Sequence, residues 1–246
     1  MLAKVVIGQN PFLRKLFRLP EEGSGKYSLF LQSSQQDGLT MCKGSVFYVW
    51  LVPEDNKLQC WRLRGADVVV VDASQDQLAL DKMVAKRDNL SLRTVLGDMQ
   101  DLSAFNDESF DLISHPISNL YVSNIQKVWA ECYRVLCKGG KLLSSFYNPA
   151  VFVFERSSDL AKEGLMKPRF TLPYADITDL SEGEFADKIA RNEAFVFGHT
   201  LAEQINGQLQ AGLLLTGFEE AFQPTPRFLI DNYMPTFIAT CSVKPR

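Results

Sequence analysis

Apolar and polar positions alternate with two periods from residue 67 onward, and they predict a succession of strands and helices. The clearest strand is Asp67–Asp72, DVVVVD, whose continuous β-branched run is typical of a strand buried on both faces of a parallel sheet. Further strands are predicted over 92–96, 110–114 and 141–146. Strands that alternate with helical segments predict a parallel sheet with right-handed crossovers.

Polar caps and apolar stripes predict the helices between these strands. Ser74 with Gln77, and Thr200 with Glu203, have the spacing of a capping box. The buried faces of three helices are predicted to consist of Leu80, Met83 and Val84; of Ile125, Val128, Trp129, Cys132 and Leu136; and of Leu201, Ile205 and Leu209. Gly139-Gly140 is predicted to end the second helix. Two closing strands, over 213–218 and 236–243, are predicted to pair antiparallel.

The composition of the chain restricts the kinds of binding partner and the cellular compartment that can be expected. The 246 residues carry a net charge of -3, which does not suit a protein that binds a phosphate backbone, so no nucleic-acid partner is predicted. The five cysteines lack metal-ligand spacing, which indicates reduced thiols and no metal site. No apolar run reaches transmembrane length and no signal-peptide pattern is visible. A cytoplasmic protein without membrane contact is therefore expected.

Three acids, Asp72, Asp98 and Asp111, lie at or near the predicted strand ends. An acid that closes the second strand of a nucleotide-binding sheet can accept hydrogen bonds from both ribose hydroxyls. Asp98, after Gly97, is placed to face an adenine edge, with Met99 packing on the ring. Asp111 is expected to orient a loop. One such acid alone is more often a solvated loop residue, but the ordered set favours a ligand.

These motifs together resemble class I S-adenosylmethionine-dependent methyltransferases. The resemblance is carried by Asp72 after its valine run, GDMQDL at 97–102, DESFDLI at 107–113 and YRVLCKGG at 133–140. The segment 199–237 is similar to a bacterial small-molecule, type 11-like branch of that family. The family implies a doubly wound α/β fold, with a mostly parallel seven-stranded sheet and a lid insertion. It also implies S-adenosyl-L-methionine as cofactor and a small-molecule acceptor.

The resemblance divides the chain into four segments. Residues 1–45 are an N-terminal extension, and 46–149 are the cofactor-binding α/β core. Residues 150–199, where aromatic residues mix with charges and turns, are interpreted as a lid that covers the substrate. Residues 200–246 are interpreted as a helix and closing strands of the same domain.

The site residues follow from this layout. Cofactor contacts are expected from Asp72, Ala73, Gln77, Asp98, Met99 and His115. His115, directly after the third strand, is also the candidate for acceptor contact or proton removal, with a core histidine as the alternative. Acceptor contacts are expected from Asn119, Tyr121, Tyr147 and Asn148. For His199, a role near the Thr200 cap is favoured over a lid contact.

One family feature is missing. The family has a glycine-rich loop about twenty residues before the position of Asp72, where the backbone must approach the cofactor closely. Here no glycine occurs from Val46 to Arg64, and the stretch reads Pro53-Glu54-Asp55-Asn56-Lys57. Proline and two acids are poorly suited to a loop around a carboxylate-bearing ligand, so weak or absent donor binding is expected.

The genetic code suggests an origin for this stretch. If each codon is read from the last base of one residue and the first two bases of the next, the steps from Asp55 to Lys57 can encode only Gln-Gln or a stop. The same offset permits xLCLAGAGGQQAAVLAAAG, which resembles the family's first strand and glycine loop. We therefore hypothesise that residues 46–65 arise from two compensating frame changes, as sequencing errors or real mutations. Resequencing these codons tests the hypothesis.

Two alternatives to an active methyltransferase stay open at this point. One is a non-catalytic remnant or binding module that keeps the fold without turnover. The other is a nicotinamide-dependent oxidoreductase, because an acid also closes the second strand in those enzymes. No G-x-G-x-x-G precedes Asp72, and the Gly97-Asp98 pair favours the methyl donor.

Overall fold

The fold can be traced through residues 46–49, 67–87, 89, 91–223 and 226–246, which a computed structural model describes, with the backbone alone for 46–49. The predicted N-terminal extension, 1–45, lies outside these residues. Most of the glycine-free stretch, residues 50–64, does so as well.

A mixed sheet forms the centre of the described chain. The strands are β1 (Val46–Val49), β2 (Asp67–Asp72), β3 (Leu92–Leu96), β4 (Phe110–Pro116), β5 (Leu136–Tyr147), β6 (Tyr174–Ala175), β7 (Phe197–Gly198), β8 (Leu214–Ala221) and β9 (Phe237–Val243). Seven of them form one sheet in the order β3-β2-β1-β4-β5-β9-β8, and β6 pairs with β7 separately. In the large sheet β9 is antiparallel to both neighbours and every other adjacent pair is parallel. The predicted α/β class with a mostly parallel sheet is confirmed.

Helices connect the strands and follow them. They are α1 (Gln75–Arg87), α2 (Ile125–Val135), α3 (Ser158–Lys162), α4 (Asp176–Asp179), α5 (Glu182–Ala190) and α6 (Gly207–Gln210), and a π-helical turn, Ala202–Asn206, leads directly into α6. Short 3₁₀ turns cover Ser118–Tyr121, Pro149–Phe152 and Leu229–Asn232. Of the helices in the described ranges, none has the length and apolarity needed to cross a membrane.

Helix α2 supplies the centre of the main core. Val128, Trp129 and Val135 are fully buried and pack with strand residues such as Val71 and Ile113. The predicted buried face of this helix is therefore confirmed. The helix ends at Val135, earlier than the predicted glycine stop, and Gly139, with φ of 81°, lies inside β5.

The predicted buried face of α1 is wrong. Met83 and Leu80 are exposed, and the buried positions are Leu78, Asp81 and Ala85. These positions follow a helical stripe that contains an acid. An apolar pattern alone does not identify such a stripe.

The capping box at the start of segment 199–210 forms as predicted. The Thr200 amide donates to Glu203 Oε2 at 2.8 Å, and the Glu203 amide donates to Thr200 Oγ1 at 3.1 Å. The predicted stripe after it is wrong, because Leu201 and Leu209 are exposed. A π-helical turn contains more residues than an α-turn, so the turn at 202–206 rotates later side chains away from the expected face.

Segment 150–199 has a small core of its own. Phe152 and Tyr174 pack there with Ile230 from the C-terminal part of the chain. Asp176, almost fully buried, pairs with Lys188 Nζ at 2.6 Å and accepts a hydrogen bond from the Tyr174 hydroxyl. This ion pair gives the segment an internal structure beyond an extended loop.

Candidate functional site

The carboxyl ends of β2 and β3 bring two predicted acids to one edge of the sheet. Asp72 is in register with Leu96, the last residue of β3. The chain then turns at Gly97, whose amide donates to the Asp72 carbonyl at 3.1 Å. Asp98 follows immediately, so both carboxylates lie at the edge where open α/β sheets bind their ligands.

Asp72 is held in place by its own local turn. Its Oδ1 accepts a hydrogen bond from the Ser74 amide at 2.7 Å, so the Ser74 amide is not bonded to Gln77 and only half of the predicted capping box forms. Burial, with 7% of the residue exposed, raises the pKa of the carboxyl group. Within the described chain Oδ2 has no hydrogen-bond partner and remains an acceptor. Ala73 beside it is exposed and Gln77 is half-buried.

Asp98 and Met99 have different surroundings. Asp98 is exposed, and its Oδ1 accepts the Gln100 amide at 2.8 Å, which fixes the turn after β3. The Met99 side chain is buried in the main core with Leu102. Met99 therefore contributes to the core and does not present its side chain as an apolar face for an adenine ring.

Asp81 on α1 is an acid that the sequence interpretation missed. It is 4% exposed, and Gln77 Nε2 lies 3.5 Å from its Oδ1. Its Oδ2 is buried without a partner. Burial raises the pKa of Asp81 to about 6, and the charge of nearby Asp72 contributes to the increase. The α1 side of the sheet edge that carries Asp72 thus holds two interacting carboxylates.

His115 lies in a closed interior. Only 1% of the residue is exposed, and its ring meets Trp129 edge to face with centroids 5.8 Å apart. Its Nε2 is hydrogen-bonded to Asn119 Oδ1. Desolvation lowers the pKa of His115 to about 4, against the opposing effect of the Asn119 bond, so the imidazole is neutral near pH 7.

A buried polar network continues from His115 towards the C-terminal strands. Asn119 Nδ2 donates to Gln204 Oε1 at 2.7 Å, and Gln208 Nε2 donates to the Gln204 carbonyl at 2.9 Å. Gln208 also bonds Thr240 and Ser242 on β9. Sequence reasoning missed both glutamines, because their partners are distant in the chain.

His199 belongs to the same interior. Its Nε2 lies 2.8 Å from the Val122 carbonyl and 3.1 Å from the Asn119 carbonyl, and the residue is 5% exposed. These contacts tie the residues before the π-helical turn to the 3₁₀ turn after β4. The role of His199 in the structure is this backbone tie.

The predicted acceptor residues divide into an open pair and a buried pair. Tyr121 is 53% exposed, and the Tyr147 hydroxyl accepts a hydrogen bond from Arg227 Nη1 at 3.2 Å. Asn119 is fully buried, and Asn148 Oδ1 caps the following 3₁₀ turn by accepting the Ala150 amide at 3.1 Å. Tyr121 and Tyr147 are thus the members of the set that remain open to a ligand.

Comparison with known proteins agrees with this geometry. A family model described as a methyltransferase domain matches residues 55–144. The uncharacterised methyltransferase YbaJ of Bacillus subtilis is 48% identical over 180 residues, which cover 73% of this chain and 69% of YbaJ.

The chain belongs to the S-adenosylmethionine-dependent methyltransferase family.

Solved structures of this family share the fold at low identity. A methyltransferase from Mesorhizobium loti superposes with a TM-score of 0.57 at 16% identity, covering 81% of this chain and 90% of that one. One from Methanosarcina mazei gives 0.60 at 12% identity, covering 89% and 99% respectively. These likenesses confirm the Rossmann-like methyltransferase fold.

The residues present on the donor edge fit S-adenosyl-L-methionine, the cofactor of the family. Asp72 keeps one carboxylate oxygen without a partner in the described structure, as a contact with ribose hydroxyls requires. Asp98 is exposed, and its Oδ2, which accepts Gln100 Nε2 at 3.0 Å, has a second lone pair that can accept from an exocyclic amine. The part of the site that would surround the methionine moiety falls in residues outside the described ranges.

Proposed function

We propose that this methyltransferase acts on a small molecule, which is held at the carboxyl ends of β4 and β5 beside a donor held at the ends of β2 and β3. The observation that carries the proposal is the juxtaposition of Asp72 and Asp98 at one sheet edge, with Tyr121 and Tyr147 at the continuation of the same edge. Parallel strands place all four residues on one side of the sheet.

In this arrangement Asp72 would bind the ribose, and Asp98 with the Met99 backbone would face the adenine. Ala73 and Gln77 would line the same half. The donor supplies a methyl group already activated on sulfonium, so the protein has mainly to align the two molecules and exclude water.

His115 stays a proposed active-site residue with a narrower role. Because its pKa is about 4 and it is enclosed, it is a weak base near neutral pH. We propose that it positions Asn119, and through Asn119 the 3₁₀ turn that carries Tyr121, and that it contacts a reactant only if this turn opens.

The proposal is tested by calorimetric titration with S-adenosylmethionine. Asp72→Asn should weaken binding about tenfold or more, because a hydrogen bond to a charged group is lost. Asp67→Asn is the matched control, since Asp67 begins the strand that Asp72 ends. Equal affinities for the wild type and the Asp72 variant would remove Asp72 from the donor site.

The glycine-free stretch supports a second candidate, a methyltransferase fold that has lost turnover. Residues 46–64 contain no glycine, so we propose that the wild-type chain binds the donor more weakly than micromolar. Micromolar binding would refute this impairment. Complete absence of donor binding would favour the binding module, and resequencing codons 46–65 would show whether the frame is intact.

A further inference from the structure

Arg227 is a cation without an ion-paired carboxylate in the described part of the chain, and it lies at the carboxyl ends of β4 and β5, the proposed acceptor edge. Its Nη1 donates to the Tyr147 hydroxyl at 3.2 Å, and the residue is exposed. The nearby Asp231 forms no ion pair with it among the described residues: the carboxylate is buried, where its Oδ2 accepts backbone amides and its Oδ1 accepts the Thr236 hydroxyl. Most of the five guanidinium donors of Arg227 are thus available to a ligand.

Three other arginines in the described structure are ion-paired, while Arg93 and Arg156 lie over aromatic rings. Arg134, Arg169 and Arg191 each form an ion pair with a glutamate at 2.6 to 2.8 Å. These pairs stabilise local structure and leave little capacity to bind an external anion. Arg227 is distinguished from them by a neutral phenol as its partner.

Two phenols stand with Arg227. Tyr147 is the last residue of β5, and Tyr121 ends the 3₁₀ turn after the neighbouring β4. The charge of Arg227 acts to lower the pKa of both phenols, although burial raises each pKa more strongly. Both hydroxyls therefore stay protonated near neutral pH and can donate hydrogen bonds to an anion.

A small cavity, with room for about one water molecule, lies beside this cluster. It is lined by Ile117, Leu120, Phe146, Tyr147, Phe152, Phe197 and Gln204. Tyr147 belongs both to this lining and to the contact with Arg227. The guanidinium therefore lies near an aromatic-walled cavity between the ends of β4 and β5 and segment 150–199.

We propose that the methyl acceptor is an apolar molecule with an anionic group, a carboxylate or a phosphate, which Arg227 binds together with Tyr147 and Tyr121. This inference rests on the proposed function in so far as it identifies the bound molecule as the methyl acceptor. The anion site itself does not require methyl transfer. A guanidinium matches either oxyanion in a bidentate manner, and the apolar body of the molecule would pack against the aromatic side chains around the mouth of the cavity.

The test is a calorimetric titration with three probes: phenylacetate, phenyl phosphate and the neutral phenylacetamide. At least one anionic probe should bind the wild type and lose about tenfold or more in affinity in Arg227→Gln. Comparison of phenylacetate with phenyl phosphate identifies the preferred anion. The matched control is Arg246→Gln, because Arg246 lies beside Gly139, near the start of β5 and away from Tyr147.

Equal binding of the anionic probes to the wild type and to Arg227→Gln would overturn the proposal, as would an affinity for phenylacetamide equal to that for the tighter-binding anionic probe. If Arg227→Gln does not fold, Tyr147→Phe is tested in its place, and it should also weaken the binding of the anionic probe. Titration of the same samples with S-adenosylmethionine separates the two claims. If anion binding depends on Arg227 and S-adenosylmethionine does not bind, the anion site is supported. The result then contradicts only the proposed donor site at the ends of β2 and β3.

Discussion

His115 provides a quantitative prediction about stability and pH. In the folded chain desolvation lowers its pKa from 6.5 to about 4. Between these values the unfolded chain binds a proton that the folded chain does not, so acid favours unfolding. The stabilising effect is complete above pH 6.5 and is lost as the pH falls towards the folded pKa.

The magnitude follows from the size of this pKa change. A decrease from 6.5 to about 4 corresponds to roughly 3 kcal/mol of unfolding free energy. About 2 kcal/mol of this should already be lost at about pH 5, where most unfolded histidine is protonated. Because His115 is 1% exposed, solvent screening reduces the effect little.

The assay is urea unfolding, followed by tryptophan fluorescence, at a series of pH values for the wild type and His115→Gln. Glutamine does not titrate and keeps a side-chain amide near Asn119. The difference between the two pH profiles isolates His115 from other groups, including Asp81, whose titration has the opposite sign in an overlapping range. Parallel profiles for the two proteins would refute the burial argument.

Two further predictions concern α1 and α6. Gly207→Ala should destabilise the fold by about 1–3 kcal/mol in urea unfolding, despite the better helix propensity of alanine. The reason is that a Cβ would lie 2.7 Å from Trp129 Cδ1 and from Gln126 Oε1. Unchanged stability would show that the Trp129 side chain can shift at little cost. Asp81→Asn should stabilise the fold near neutral pH by about 1–2 kcal/mol and have little effect near pH 4. The pKa of Asp81 is about 6 in the folded chain against the usual 3.8, so ionisation of this carboxyl group destabilises the fold as the pH rises. Exposed Asp76→Asn on the same helix is the control, and a gain equal to that of Asp81→Asn would contradict the burial argument.

Local signals in the sequence predict the strands well, together with the sheet edge at which Asp72 and Asp98 lie. The valine run of β2 has a single plausible environment, the inside of a parallel sheet, and its carboxyl end fixes the place of Asp72. Gly97 and Asp98 follow β3 by the same logic. The family motifs lie in these segments, so the family and the fold could both be predicted from them.

The acceptor edge was less predictable, because its contacts join distant parts of the chain. Gln204 and Gln208 interrupt an apolar stripe, and their burial depends on partners at Asn119 and Thr240. Arg227 contacts Tyr147 across eighty residues, from a stretch with no periodic signal. A hydropathy pattern predicts burial from residue type alone. The prediction fails for a polar side chain that is buried because a hydrogen-bond network satisfies it.

The charges of the two halves suggest why an anionic acceptor suits this site. In the proposed arrangement the donor side carries Asp72 and Asp98, whereas the acceptor side carries Arg227 and the neutral, hydrogen-bonded interior of His115 and Asn119. A bound donor would bring a second positive charge, its sulfonium, and an acceptor without charge would offset neither the sulfonium nor the guanidinium. An acceptor with a carboxylate or phosphate would be attracted by both cations, and attraction at short range strengthens where water is excluded. The anion would thus orient the acceptor at the same time as it compensates the charge of the donor.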